Sequence, residues 1–154
     1  MFRSILSVLA TAILGFAGCG SDDAPGAPAI YPLDYETTYQ EVRNCRNSLE
    51  HNGVRMRVLA SPEAIAPYTG RALPFPAGSI VLKVQYDGGD TACEDEVIGA
   101  TVIRKLEPGS SPDTLDWEWQ ETDETHRQID FEVRRCTMCH KACDPQYDST
   151  CTDP

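Results

Sequence analysis

The chain is 154 residues long, with 24 acidic against 13 basic side chains and a formal net charge of −11. That length suits one domain with a modest core. The negative balance disfavours nucleic acid and anionic membrane surfaces as partners, and suits a basic one.

The first residues address the chain. Arg3 is followed by an apolar run from Ile5 to Phe16, shorter than the roughly 20 residues that span a bilayer. It reads as the hydrophobic core of a secretory signal. Phe16-Ala17-Gly18-Cys19 resembles a bacterial lipobox, with phenylalanine where leucine is commoner. The resemblance implies cleavage before Cys19, lipidation of that residue, and a periplasm-facing protein anchored to a membrane of the bacterial cell envelope. An ordinary signal peptide cut near Gly18 is the plainer alternative. Residues 1–18 are then the signal peptide. Residues 19–33, rich in Gly, Pro, Ser and Ala, form a flexible tether, and 34–154 form the folded domain.

Within the domain, Tyr35, Tyr39, Val42, Cys45 or Arg46, and Leu49 recur at helical spacing, with Asp34 to cap the start and Asn52-Gly53 to end it. "VRMRVLA" alternates, so Val54, Met56 and Val58 share one face of a half-buried strand. "SPEAIAPY" reads as a short helix with Ser61 as N-cap and Pro62 at its first position. "GRALPFPAG" is a turn-rich loop. In "SIVLKVQY" a strand places Ile80, Leu82, Val84 and Tyr86 on one face and Ser79, Val81, Lys83 and Gln85 on the other. A Gly-Gly loop follows. "EVIGATVIRKLE" is a further strand, closed by Pro108-Gly109, and "DWEWQETD" is another, with Trp117 and Trp119 on one face. "HRQIDFEVRR" ends the sheet and leads into a C-terminal helix. The fold class is α+β with antiparallel strands.

Seven cysteines remain to be placed. Cys19 goes to lipid. Cys45, Cys93, Cys143 and Cys151 form an even set, and an oxidising compartment favours two disulfides among three connectivities. The expected pairs are Cys45–Cys93 and Cys143–Cys151. Cys136 and Cys139 stand in "CTMCH" with His140 directly after. On one helical turn the three side chains fall on adjoining faces. That is the geometry for thioether bonds to the two vinyl groups of one heme, with an imidazole on its iron. Two competitors stay open. A structural zinc wants four ligands, which Cys143 and Cys151 would complete. Alternatively, Cys136 and Cys139 join the disulfides and His140 is incidental.

A heme at this place has a consequence. No methionine follows His140, and Met138 inside the motif cannot reach around the ring. Met56 fits the apolar face of its strand, where core packing is its expected role. The iron then keeps an open coordination position, which favours binding and activating small molecules over simple electron relay.

"FPAGSIVLKVQY", "VIGATVIRKL", "DWEWQ" and the terminal "CTMCH", in this order after an aromatic-rich first segment, resemble the cytochrome P-460 family, which includes the cytochromes c′-beta. The resemblance runs from about residue 34 to 143. It implies a mainly antiparallel five-stranded sheet with packed helices, a C-terminal heme-binding helix, and often a homodimer. It implies one covalent heme c per chain, with Cys136 and Cys139 in the thioethers and His140 as the iron ligand. Lys83 matches the strand lysine that in true cytochromes P-460 is also bonded to the porphyrin; Lys105, at a strand end, is a weaker match. Phe75 matches an aromatic that lines the heme pocket. The implied activity is oxidation of hydroxylamine or a similar small nitrogen species, with electrons passed to an external acceptor. The alternative is a non-enzymatic protein that binds nitric oxide or transfers electrons.

Polar groups for the open side are sought on the first segment, where Arg46 and His51 are the candidates. Asp144 is a weaker candidate proton acceptor, and His126, in a charged stretch, is expected at the surface.

Overall fold

The computed structural model describes residues 25–129 and 131–153. The expected signal peptide, the lipidation site Cys19 and the start of the tether lie outside the described residues. Five strands, β1 (Gln40–Ser48), β2 (Val54–Ala60), β3 (Ile80–Tyr86), β4 (Gly99–Lys105) and β5 (Trp117–Asp123), form one open antiparallel sheet in sequence order. Helices are few: α1 (Tyr35–Thr38), α2 (Pro62–Gly70) and α3 (Val133–His140), with single 3-10 turns between them. The architecture is the expected α+β, and β2 to β5, α2 and α3 fall where the hydrophobic patterns put them.

The first segment departs from expectation. Only one turn, Tyr35–Thr38, is helical; Gln40–Ser48 is an edge strand on β2. Leu49, the last apolar residue of the apparent helical stripe, is 76% exposed. Asn52 and Gly53 do not stop the expected long helix; Asn52 ends only the single 3-10 turn Leu49–His51. Both take positive φ, 62° and 75°, and turn β1 back into β2. Such residues serve hairpins as well as helix ends, so the local pattern fits both. Pairing along β2 decides between them, with two register shifts around Arg43 absorbing the irregular spacing.

The expected tether also shortens. Gly26 donates to the Gln128 carbonyl (2.7 Å), Ile30 donates its N–H to Gln120 Oε1 (2.8 Å), and Tyr31 is buried. Its last residues therefore belong to the domain.

Both faces of the sheet are covered, which is why β3 is apolar nearly throughout. One face buries Leu59, Leu82, Val84, Tyr86 and Val102 under Tyr31 and Tyr35. The Cys45–Cys93 disulfide, Cα atoms 5.7 Å apart, ties β1 to the β3–β4 loop on that side. The other face buries Val58, Val81, Ile103, Trp117 and Trp119 against α2, with Val133 and Cys136 of α3 packed on the same cluster. Cys143 pairs with Cys151, Cα atoms 5.3 Å apart, closing the chain just beyond α3. Both disulfides are the expected pairs.

Candidate functional site

On the second face the core does not close completely. Between the sheet, α3 and the β1–β2 loop lies a cavity of about 1140 Å³. Cys136, Cys139 and His140 of α3 open onto it, as do Met56, Lys83, Trp119 and Glu121 from the sheet and Arg43 and His51 from the first hairpin. Residues far apart in the chain thus meet because alternate positions of neighbouring strands share a face.

Cys136 and Cys139 are both unpaired, the first half-buried and the second exposed. Burial pushes the Cys136 thiol up, and the neighbouring Glu121 charge adds to that. His140 is 9% exposed, its ring edge-on to Trp119 at 4.8 Å between centroids. Its Nδ1 hydrogen-bonds the Ser149 carbonyl. A carbonyl only accepts, so Nδ1 carries the proton and Nε2 keeps a bare lone pair, the ligating form. Burial, and then the charge of Lys83, lower its pKa to about 4.

Lys83 is 7% exposed and makes no hydrogen bond or ion pair among the described residues. Desolvation, and then Arg43, lower its pKa to about 8. Lys105 shows the contrast: equally buried, it pairs with Asp148 Oδ1 at 3.0 Å and lies over the Trp117 ring at 4.7 Å. It is a structural lysine, away from the cavity.

Burying an unpaired amine costs stability. Lys83→Met is therefore expected to stabilise the ligand-free chain at pH 7 by on the order of 2 kcal/mol, read from urea unfolding. The folded pKa lies below the unfolded one, so between about pH 8 and 10.5 the unfolded chain binds more protons. The wild-type deficit is then full below that window and vanishes as pH rises through it. A difference between the two proteins that does not change with pH would contradict this.

Other expected site residues fare differently. Arg46 is exposed and bonds Asn44 Oδ1 at 3.0 Å, outside the cavity. Arg43 takes that place, with its Nε buried and without a hydrogen-bond partner. The exchange follows from the change of helix to bulged strand, which alters which arginine turns inward. Phe75 does not line the cavity. It is buried in the core at 5.3 Å from Trp117, and Trp119 and Phe131 supply the aromatic wall instead. His51 does face the cavity, its Nδ1 2.8 Å from Ser48 Oγ, and burial lowers its pKa to about 4. Met56 is 3% exposed and lines the cavity, whereas Met138 points outward at 60% exposure. Asp144 caps a terminal turn through Gln146 N–H (3.0 Å) and is exposed. His126 is half-buried rather than at the surface, bonded to Tyr31 Oη at 3.0 Å on the opposite face of the sheet.

Glu121 went unnoticed in the sequence. Its carboxyl is pushed up by burial, partly countered by Arg135. The alternation Trp117, Trp119, Glu121 along β5 carried the signal, since all three share a face.

The donor set discriminates among the ligands proposed for the motif. Cys143 and Cys151 are bonded to each other, so neither completes a four-ligand zinc site. Among the described residues no three His, Cys, Asp or Glu side chains converge on one point to hold a bare ion. Two unpaired thiols, one bare imidazole nitrogen and two orphaned buried polar atoms, Arg43 Nε and Thr101 Oγ1, instead border a cavity sized for an organic cofactor. No protein-family model matches the chain, and no curated protein is detectably similar to it in sequence.

Proposed function

We propose that the chain is a mono-heme c-type protein of the cytochrome P-460 kind, acting on a small nitrogen species. Cys136 and Cys139 hold the heme through thioethers and His140 ligates its iron through Nε2. One observation carries the reading: both unpaired thiols, the bare imidazole nitrogen and the unpartnered amine of Lys83 open onto the same cavity of about 1140 Å³.

When bound, the heme supplies an iron with an open position at which hydroxylamine or nitric oxide binds and exchanges electrons. The chain's own residues supply the rest. His140, kept neutral and oriented, is the fixed ligand. Trp119 and Phe131 give the cavity its apolar wall and limit water. Arg43 and His51 bring hydrogen-bond donors to a polar ligand. Glu121, with its raised carboxyl, takes up a proton as substrate is oxidised. Lys83, which burial shifts towards the free amine, would be the residue to bond the porphyrin edge, a substitution of a ring C–H that would also need an external two-electron oxidant.

Two functional readings part at Lys83. An enzyme oxidising hydroxylamine and passing electrons to an external acceptor uses the lysine bond to tune the macrocycle. A nitric oxide-binding or electron-transfer protein of the c′-beta kind leaves the lysine free. Its unpartnered burial favours the first. The proposal includes export, anchoring through Cys19 in the cell envelope, and a homodimer.

The deciding experiment is mass spectrometry of proteolytic heme peptides from protein made with the heme-attachment machinery. Heme on the Cys136–Cys139 peptide is expected, joined to the Lys83 peptide. Heme without Lys83 selects the c′-beta reading. A purified protein with no Soret band overturns both.

A further inference from the structure

The geometry points to the disulfide-closed loop from Cys143 to Cys151 as the positioning device of His140. The loop fixes the imidazole with its proton on Nδ1 and its lone pair on Nε2. The identity of the group that Nε2 meets rests on the heme reading above; the state of the imidazole does not.

The loop is short, beginning three residues after His140 and returning so that Ser149 meets the imidazole it follows in sequence. Its backbone is costly: Asp148, Ser149 and Cys151 all take positive φ, at 40°, 68° and 64°, without being glycine. Such conformations persist only where surrounding structure holds them, and here it does. The disulfide closes the loop onto the end of α3. Asp148 is gripped through its carboxylate by Lys105 Nζ (3.0 Å) and through its carbonyl by Trp117 Nε1 (3.0 Å). On the far side Thr152 Oγ1 bonds Tyr68 Oη at 2.6 Å.

Apart from the disulfide, each of these anchors leads from the sheet or α2 to residues near Ser149. The strained turn between them aims the Ser149 carbonyl at the ring. The acceptor is a backbone atom, so the loop as a whole sets the tautomer, not any one side chain. A carbonyl behind a ligating imidazole fixes its tautomer and raises its basicity. The Cys45–Cys93 bond, on the opposite face of the sheet, has no such link to His140.

The test reads the imidazole directly. The full chain, isotopically labelled at histidine and prepared without attached heme, is examined by two-bond proton–nitrogen correlation, with His140 assigned by a His140→Gln variant. The wild type is expected to carry its proton on Nδ1. In Cys143→Ser/Cys151→Ser the proton is expected to redistribute towards Nε2, and in Cys45→Ser/Cys93→Ser to stay on Nδ1. A wild-type proton on Nε2 overturns the inference without any variant. So does an unchanged tautomer in the first pair, or an equal change in both pairs, which would mean general loosening. In heme-loaded protein the reduction potential is expected to rise in the Cys143/Cys151 variant only, because a less basic imidazole stabilises the oxidised iron less. An unchanged potential counts against the loop. Failure of the chain to take up heme overturns the heme reading while the tautomer result stands.

Discussion

On a Lys83→Met background, which removes any lysine bond to the ring, a Cys136→Ser/Cys139→Ser chain produced with the heme-attachment machinery is expected to retain no heme after denaturation, whereas Lys83→Met alone keeps its own. A thioether survives unfolding, but the coordinate bond from His140 does not. The substitution is small, replacing sulfur by oxygen at one half-buried and one exposed position, neither of them in a disulfide. Such changes shift stability by only about 0.5 kcal/mol. Loss of heme would then be assigned to chemistry and not to unfolding, which a parallel urea titration checks. Serine protein on that background that keeps its heme through denaturation would show that these thiols are not the attachment points.

Asp148→Ala is expected to lower the unfolding free energy by about 3–5 kcal/mol, measured by urea denaturation at neutral pH. Its carboxylate is the one ion-pair partner of Lys105 among the described residues, in a site where the lysine side chain is 8% exposed. Removing one half of a buried pair leaves the other charge desolvated and unpaired, which costs more than the pair itself contributed. A Lys105→Met/Asp148→Ala double variant should therefore recover much of the loss. If the double variant is as unstable as the single one, the penalty lies in lost loop contacts and not in the stranded charge. The two buried lysines are thus expected to respond in opposite ways. Lys105 is held by a partner, so disturbing the pair destabilises the fold. Lys83 has none, so removing it stabilises the fold. A residue that costs stability where it stands is one kept for another task.

Much of this was legible in the amino-acid order. Alternation in "SIVLKVQY" placed Lys83 on the face opposite Leu82, and the structure keeps it there because β3 is central and its register admits no slip without moving apolar residues out of both cores. The Cys-x-x-Cys-His spacing put three reactive side chains on one helical turn, a strictly local property. The Cys143–Cys151 pair followed from its short loop, and parity left Cys45 and Cys93, 48 residues apart, to each other. Apart from the Cys45–Cys93 pair, these features depend on residues near one another in sequence or on a strict two-residue period.

The tertiary structure decided what local pattern left ambiguous. Residues 40–48 carry a spacing compatible with a helix, and pairing to β2 made them a strand, which turned Arg43 inward and Arg46 out to solvent. Phe75 went to the core because Trp117 offered it a ring to pack against. Glu121 became a cavity carboxyl only when β5 was laid beside β4 and under α3. The Ser149 carbonyl reached His140 only because strand, helix and disulfide together folded the C-terminal loop back on itself. Which reactive groups the chain carries was written in its sequence. Which of them face one another depends on long-range pairing and burial, and no stretch of neighbouring residues encodes those.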